Sequence, residues 1–294
     1  MSRTLFLTGA GGFVGRHLLP RLRERGIEVT CLGRREPGPD AAGARWVVGD
    51  LTQPGPWEDA LAGADTVLHA AAATGTASPD AHARVNAEGT AALVSRAAAR
   101  GVGRFVFVST IAVKFADKRR YPYAQAKERA EAAVRAAGIP WVIVRPTMIF
   151  GAGAPVLAGL RRLARLPVMP LFGGARARVQ PVDVTDLAEL LVAVVEDGSL
   201  SGQVLEAGGP DVVSLADLLG VLRRLEGKPP RTVRLPAAPV ASLLWTLERA
   251  GLRLPVTAGQ IASFVEDGVA ERVSWVPAQR LLRTPLREML RAVA

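Results

Sequence analysis

Cysteine occurs once in the chain, at Cys31. A lone thiol closes no internal disulfide, so a reducing, cytoplasmic setting is expected. Histidine is scarce too. His17, His69 and His82 do not cluster at ligand spacing, which argues against a His/Cys metal site. No apolar stretch is long enough to cross a bilayer. The longest uncharged one, residues 235–247, falls short of the ~20 residues required and is broken by Pro236 and Pro239. Apolar residues appear by Leu5, but glycine-rich sequence follows at once, so no secretory leader is expected. Like charges never run to five or six, and only Lys114, Lys118, Lys127 and Lys228 of the 37 basic residues are lysines. A net charge of +10 suits nucleic acid, anionic lipid or an anionic small molecule. Aromatic residues are only 5% of the chain and do not interleave with the arginines. Without such a stacking platform no nucleic-acid partner is expected, and the arginines read as solvated surface.

What is present is globular: 49% hydrophobic and 22% charged residues over 294 positions. That length suits one large domain or two modest ones. Continuous apolar runs at 4–8, 28–33, 45–48, 65–69, 104–109 and 141–144 predict strands buried on both faces. Helical periodicity falls between them at 13–25, 57–61, 80–100 and 123–137. Pro20 should bend the first helix or mark its first turn. Strands alternating with helices over ~150 residues predict a parallel sheet covered on both sides. The pattern then loosens. Helices are expected at 155–166, 184–196, 214–225, 242–250 and 285–293, strands at 203–207 and 231–235, and 171–180 is read as irregular. The expected organisation is an α/β, doubly wound parallel sheet from 1–152 and 180–209, with a smaller α+β substrate-binding domain from 153–179 and 210–294.

Gly9, Gly12 and Gly15 stand in a G-x-x-G-x-x-G spacing between the first strand and first helix. Lacking side chains, they permit a tight turn, close approach of backbone to a pyrophosphate, and close helix–strand packing. The helix N-terminus adds free amides and a positive dipole end. A dinucleotide is therefore the expected ligand. An acid near the end of the second strand would read the ribose 2′-hydroxyl of NAD(H). Here that strand ends in Gly33-Arg34-Arg35, which favours the 2′-phosphate of NADP(H) unless both arginines are simply exposed loop residues. Asp50 and Leu51 could face the adenine, although an Asp that merely starts a helix fits as well.

Tyr123 and Lys127 lie four residues apart at a helix start, on one face. A lysine so placed could hold the nicotinamide ribose and lower a phenol pKa that is ordinarily ~10. Such a tyrosine moves a proton on or off a substrate oxygen. Ser109 and Thr110 close the preceding strand and supply hydroxyls that polarise a carbonyl.

These residues resemble the short-chain dehydrogenase/reductase superfamily in its extended form, similar to NAD-dependent epimerases/dehydratases. The match comprises Thr8, Gly9, Gly12, Phe13, Val14, Gly15, Asp50-Leu51, His69-Ala70-Ala71, Asn86, Gly89-Thr90, Ser109-Thr110, Tyr123, Lys127 and Arg145-Pro146. Residues 180–184 and 207–210 resemble the subgroup that includes the complex I 39-kDa subunit. The resemblance implies a Rossmann-type fold, with Tyr123 as acid/base, Lys127 as its partner and Thr110, with Ser109 second, as the hydroxyl on the reacting oxygen. It implies that Gly9, Gly12, Phe13, Val14, Gly15, His69, Ala70, Ala71 and Pro146 line the cofactor and that Asn86 braces the site. The competing reading of His69 is a strand-end residue satisfied by backbone. A homodimer through helices 80–100 and 123–137 is a further implication.

Only 12 residues separate Thr110 from Tyr123, fewer than sugar-nucleotide enzymes commonly show, so a smaller or more apolar carbonyl substrate is favoured. An NAD(P)-dependent oxidoreductase is the first expectation. A sugar-nucleotide epimerase or dehydratase is the second, with Arg161, Arg162, Arg176 and Arg178 able to meet a diphosphate if they are not solvated. A non-catalytic nucleotide-binding scaffold is the third. Residues 235–247 read as a core or dimer helix, with membrane contact as the alternative.

Overall fold

The computed structural model describes residues 3–36, 43–252, 256–271 and 275–292. The chain opens with β1 (Thr4–Thr8), α1 (Phe13–Glu24), β2 (Glu28–Gly33) and β3 (Arg45–Val48). A 3-10 segment, Pro56–Leu61, leads to β4 (Thr66–His69). Then α2 (Pro79–Ala81) passes through a π-helical stretch, His82–Glu88, into α3 (Gly89–Ala99). Next come β5 (Arg104–Val108), α4 (Pro122–Ala136), β6 (Trp141–Pro146), β7 (Ile149–Phe150), α5 (Pro155–Arg165), β8 (Met169–Phe172), β9 (Arg178–Val179), β10 (Val182–Asp183), α6 (Val184–Glu196) and β11 (Gln203–Ala207). The remainder is β12 (Val213–Ser214), α7 (Leu215–Leu225), β13 (Thr232–Leu235), α8 (Ala237–Arg249), α9 (Ala258–Ser263), α10 (Val276–Leu281) and α11 (Leu286–Arg291).

Seven strands pair in parallel in the order β11-β6-β5-β4-β1-β2-β3. The apolar runs of the central strands are divided between two cores by their period of two. Leu5 and Leu7 of β1, with Val106 and Val108 of β5, join α1 and α6 on one face. Phe6, Phe105 and Phe107 join Trp57, Leu61 and Leu93 on the other. Each fully buried side chain of this size contributes roughly 1.5–3 kcal/mol, so two covered faces explain why these strands read as unbroken hydrophobic segments. The chain winds outward from β1 through β2 to β3 and the other way from β4 to β6. The reversal falls between β1 and β4, where ligands of such sheets bind beyond the strands' carboxyl ends.

A third core draws on Phe150, Leu157, Leu160, Met169 and Phe172, then on Leu215, Leu219, Ile261, Phe264 and Met289. It sits outside the seven-stranded sheet and holds β13 against β8 and β12 against β9. Several details depart from the expectations. Residues 171–180, read as irregular, include the end of β8 and all of β9. Pro20 lies within α1 rather than at its first turn, with its ring on the exposed side. The helix placed at 242–250 starts five residues earlier as α8, because Pro239 falls in its first turn, where a missing N–H leaves no bond unmade. Only Ala241 of α8 is buried, so this is not a core helix. α10, expected with the second unit, returns to the first: Ala278 and Trp275 pack in the α1/α6 core, and Trp275 Nε1 donates to Asp197 at 3.0 Å. Val293, at the end of the last expected helix, lies outside the described residues.

Candidate active site

The turn from β1 to α1 is built on absent side chains. Gly9 has φ +81°, and a Cβ there would meet Ala71 N at 2.5 Å. A Cβ on Gly15 would stand 2.1 Å from the Gly9 carbonyl oxygen. Gly12 N donates to that same oxygen at 2.9 Å, closing the turn. The first α1 amides are thereby opened toward a cleft of about 1750 Å³. Gly9, Gly12, Phe13, Val14, Gly15, Arg34, Arg35, Asp50, Leu51, Ala70, Ala71 and Pro146 all line it, as do Ser109, Thr110 and Tyr123. A pyrophosphate fits a cradle that a single Cβ would fill.

Arg34 and Arg35 are exposed at the cleft rim. The Asp50 carboxylate is held below its ordinary pKa, first by the Thr52 backbone N–H at 2.9 Å and also by the Arg34 charge.

His69, Asn86 and Lys127 are not on the cleft wall. His69 is buried, with Nδ1 2.6 Å from Thr8 Oγ1 and Nε2 2.8 Å from Thr90 Oγ1. Thr90 donates onward to the Asn86 carbonyl at 2.7 Å, so Nε2 carries the proton and Nδ1 accepts from Thr8. Burial and the nearby Lys127 charge lower its pKa to about 3. His69 is thus satisfied by two threonine hydroxyls, neither facing a cofactor nor capped by backbone as the sequence suggested. It ties β4 to β1 and α3. Asn86 grips the backbone of Ala73 from both sides, accepting at 2.7 Å and donating at 2.9 Å. His82 Nδ1 reaches the same carbonyl at 3.1 Å. The π-helical turns carry both side chains to Ala73, which explains why a stretch read as uniform helix widens there.

At the centre, Thr110 caps the short helix after β5: its Oγ1 accepts from Ala112 N at 3.3 Å. Its hydroxyl lies near enough to the Tyr123 phenol to favour the phenolate. Ser109 turns the other way and donates to Glu131 at 2.6 Å. The structure therefore separates the two hydroxyls, with Thr110 beside the phenol and Ser109 behind it. Burial raises the Tyr123 pKa to about 12, and the Thr110 hydroxyl opposes that rise. The sequence suggested a lowered phenol. Lys127 is drawn inward instead, donating to Val108 O at 2.7 Å with its ammonium 4.5 Å from the centre of the Phe107 ring. Burial lowers its pKa to about 7, against the raising influence of Glu131. Burial disfavours the charge on Glu131 too, but bonds from Arg145, Ser109 and Arg135 outweigh it and leave the carboxylate below its usual range.

Sequence reasoning missed Tyr121, His82, Phe115, Glu248, Gln260 and Phe264 as cleft residues. His82 packs edge-on to Tyr123 at 5.6 Å, and Tyr121 lies 5.9 Å from it. A second tyrosine so near the first was the one available signal. Glu248, Gln260 and Phe264 arrive from more than 100 residues away and left none. Of the arginines offered to a diphosphate, Arg161 pairs with Glu226 and Arg178 with Asp267, while Arg162 lines the cleft.

The model of the NAD dependent epimerase/dehydratase family matches residues 5–208. The chain belongs to that family. Ceramide reductase of Caulobacter vibrioides (strain NA1000 / CB15N) is 33% identical to it over 238 residues, spanning 78% of this chain and 73% of the relative. The 2-alkyl-3-oxoalkanoate reductase of Stenotrophomonas maltophilia (strain K279a) is 30% identical over 252 residues, 76% of each chain. The solved structure of MoeE5 in complex with UDP-glucuronic acid and NAD superposes with a TM-score of 0.72 at 26% identity, covering 99% of this chain and 97% of that one. The protein is an NAD(P)-dependent enzyme of the extended short-chain dehydrogenase/reductase type.

Proposed function

We propose that this epimerase/dehydratase-family enzyme is a ketoreductase that favours NADP(H) and acts on a carbonyl compound with a long apolar arm. The carrying observation is the wall of the cleft beyond Tyr123. Ile111, Phe115, Met148, Leu160, Leu163 and Phe264 line it, and two of the arginines that a nucleoside diphosphate would need are occupied by carboxylates. Relatives named as reductases of ceramide and of a 2-alkyl-3-oxoalkanoate support an apolar substrate. Arg34 and Arg35, at the end of β2, support a 2′-phosphate. Of the expected substrate-binding part, 153–179 and 210–294, all but α10 is kept in this reading, since Leu286, Met289 and Leu290 of α11 pack in the third core.

A nicotinamide dinucleotide held at the β1–α1 turn by Gly9, Gly12 and Gly15 would supply hydride for the carbonyl carbon. Tyr123, protonated at neutral pH, donates its phenolic proton to the carbonyl oxygen. Thr110 has a lone pair committed to Ala112 N–H, so its own proton is free to bond the phenol or the substrate oxygen. Ser109, Glu131 and Arg145 fix the end of β5 that carries Thr110. Asn86 and His82 hold the Ala73 backbone against the cleft.

The test is a Tyr123→Phe variant measured with NADPH and NADH. Turnover of a hydrophobic ketone is expected to fall by about 10²–10⁴, with NADPH affinity unchanged and NADPH bound more tightly than NADH by the wild type. Retained turnover in the variant would remove Tyr123 from the chemistry.

A further inference from the structure

We propose that the outward face of α8, with β13 and the 166–168 turn beside it, docks on the surface of an anionic lipid bilayer. From Ala237 to Leu247 the helix carries no charged residue, yet only Ala241 is buried. Ala237, Val240 and Leu244 pack partly into the third core. The opposite side presents Ala238, Pro239, Leu243 and Thr246, with Leu243 61% exposed. Further apolar side chains are exposed on the segments that precede α8 and β8. Val233 of β13 is exposed, as are Leu166 and Val168 just before β8. The parallel β13–β8 pairing and a 3.0 Å bond from Met169 N to Arg231 O hold these segments together.

Along this segment of the chain the charge is nearly all of one sign. Between Gly227 and Leu252 the basic residues are Lys228, Arg231, Arg234 and Arg249, all exposed. The sole acid there, Glu248, faces the cleft and accepts from Ala258 N at 2.7 Å. Among the described residues, none of these four cations enters an ion pair. An apolar helix face framed by unpaired arginines matches a bilayer interface with anionic headgroups. A second copy fits less well, because a twofold contact through α8 would bring Arg234 and Arg249 toward their own equivalents. No helix among the described residues is long and apolar enough to cross a membrane, so the contact is peripheral.

The placement relates to the cleft. Leu166, Glu248 and Val256, from this face or next to it, line the cleft. Docking therefore sets the cleft beside the lipid, where an apolar substrate would leave the bilayer. That last step rests on the ketoreductase reading; the docking does not.

The experiment is co-sedimentation with vesicles of phosphatidylcholine mixed with phosphatidylglycerol, compared with phosphatidylcholine alone. The wild type is expected to bind the mixed vesicles and to be released by added salt. Leu243→Glu and the double variant Arg234→Glu/Arg249→Glu should each weaken binding about tenfold or more. Their thermal melting, NADPH affinity and turnover of a short, water-soluble ketone should match the wild type, since these side chains lie outside the cleft. Wild type that ignores the mixed vesicles, or variants that bind them undiminished, would overturn docking. So would a wild-type dimer in light scattering that Leu243→Glu splits, which would assign the face to a second copy. Failed docking with ketone turnover intact leaves the ketoreductase reading standing, and the reverse result separates them equally well.

Discussion

A phenol whose pKa burial pushes to about 12 is an acid rather than a base at neutral pH. It is ready to give a proton to a ketone oxygen and poorly placed to take one from an alcohol. The two directions should therefore respond differently to pH. Between pH 8 and 10, above the Lys127 titration, ketone reduction is expected to stay nearly flat. Alcohol oxidation should climb by about tenfold per pH unit as the phenolate fraction rises. Thr110 opposes the raised pKa through its hydroxyl. Thr110→Val should thus move the oxidation profile to higher pH while leaving NADPH affinity alone. Coincident profiles for variant and wild type would show that the hydroxyl does not tune the phenol. The four-residue spacing of Tyr123 and Lys127 was legible in the sequence. The inward turn of Lys127 was not, because it depends on the Val108 carbonyl and the Phe107 ring of a different element. His69 hid its role for the same reason, since its partners Thr8 and Thr90 are 61 and 21 residues away.

Among the elements, the β1–α1 turn is the part most nearly determined by local sequence. Its glycines answer to contacts that any side chain would violate, and they follow a buried strand. Gly15→Ala would place a methyl group against the Gly9 carbonyl, an overpacking that costs roughly 1–3 kcal/mol. Gly11 offers a control in the same turn, with nothing within 4 Å of its Cβ position. Thermal unfolding without cofactor should show a drop of several degrees for Gly15→Ala and almost none for Gly11→Ala. Equal melting for the two would mean that the turn relaxes freely. The longer strands and helices were equally legible, because a buried strand or an amphipathic helix leaves its period in the sequence. The two-residue strands β7, β9, β10 and β12 left none, being too short to show alternation. The π-helical turns were invisible as well. Their cause is the Ala73 backbone, which His82 and Asn86 reach across a loop.

At the scale of the whole molecule, the surplus of arginine was read as solvated surface, and Arg104 and Arg223 depart furthest from that reading. Arg104 is buried and donates to the carbonyls of Val194, Val195 and Asp197, where α6 ends. Arg223 is 2% exposed and does the same in the third core. It donates to Ala164 at 2.9 Å, Leu166 at 2.8 Å, Pro167 at 2.9 Å and Pro229 at 2.5 Å. A guanidinium suits this task because its five donors are fixed in a plane, and the carbonyl end of a helix attracts positive charge. No periodicity announces such a residue, since the carbonyls it serves lie 6 to 59 positions away. The consequence reaches the cleft. α5 presents Val156, Leu160 and Leu163 to it, and Arg223 fixes the end of α5 to α7. Arg223→Met keeps most of the volume but strands the buried Ala164 carbonyl and removes the bonds to three partly exposed ones, a loss of roughly 1–3 kcal/mol. Arg223→Lys restores the charge with three donors on one nitrogen, which cannot span all four acceptors, so it should fall between. The expected order in thermal melting is wild type, then lysine, then methionine. The KM for the apolar ketone should rise more than the Kd for NADPH, because the nucleotide cradle belongs to the other two cores. Equal weakening of both would mean that the molecule melts as one unit and that α5 has no separate hold on the substrate.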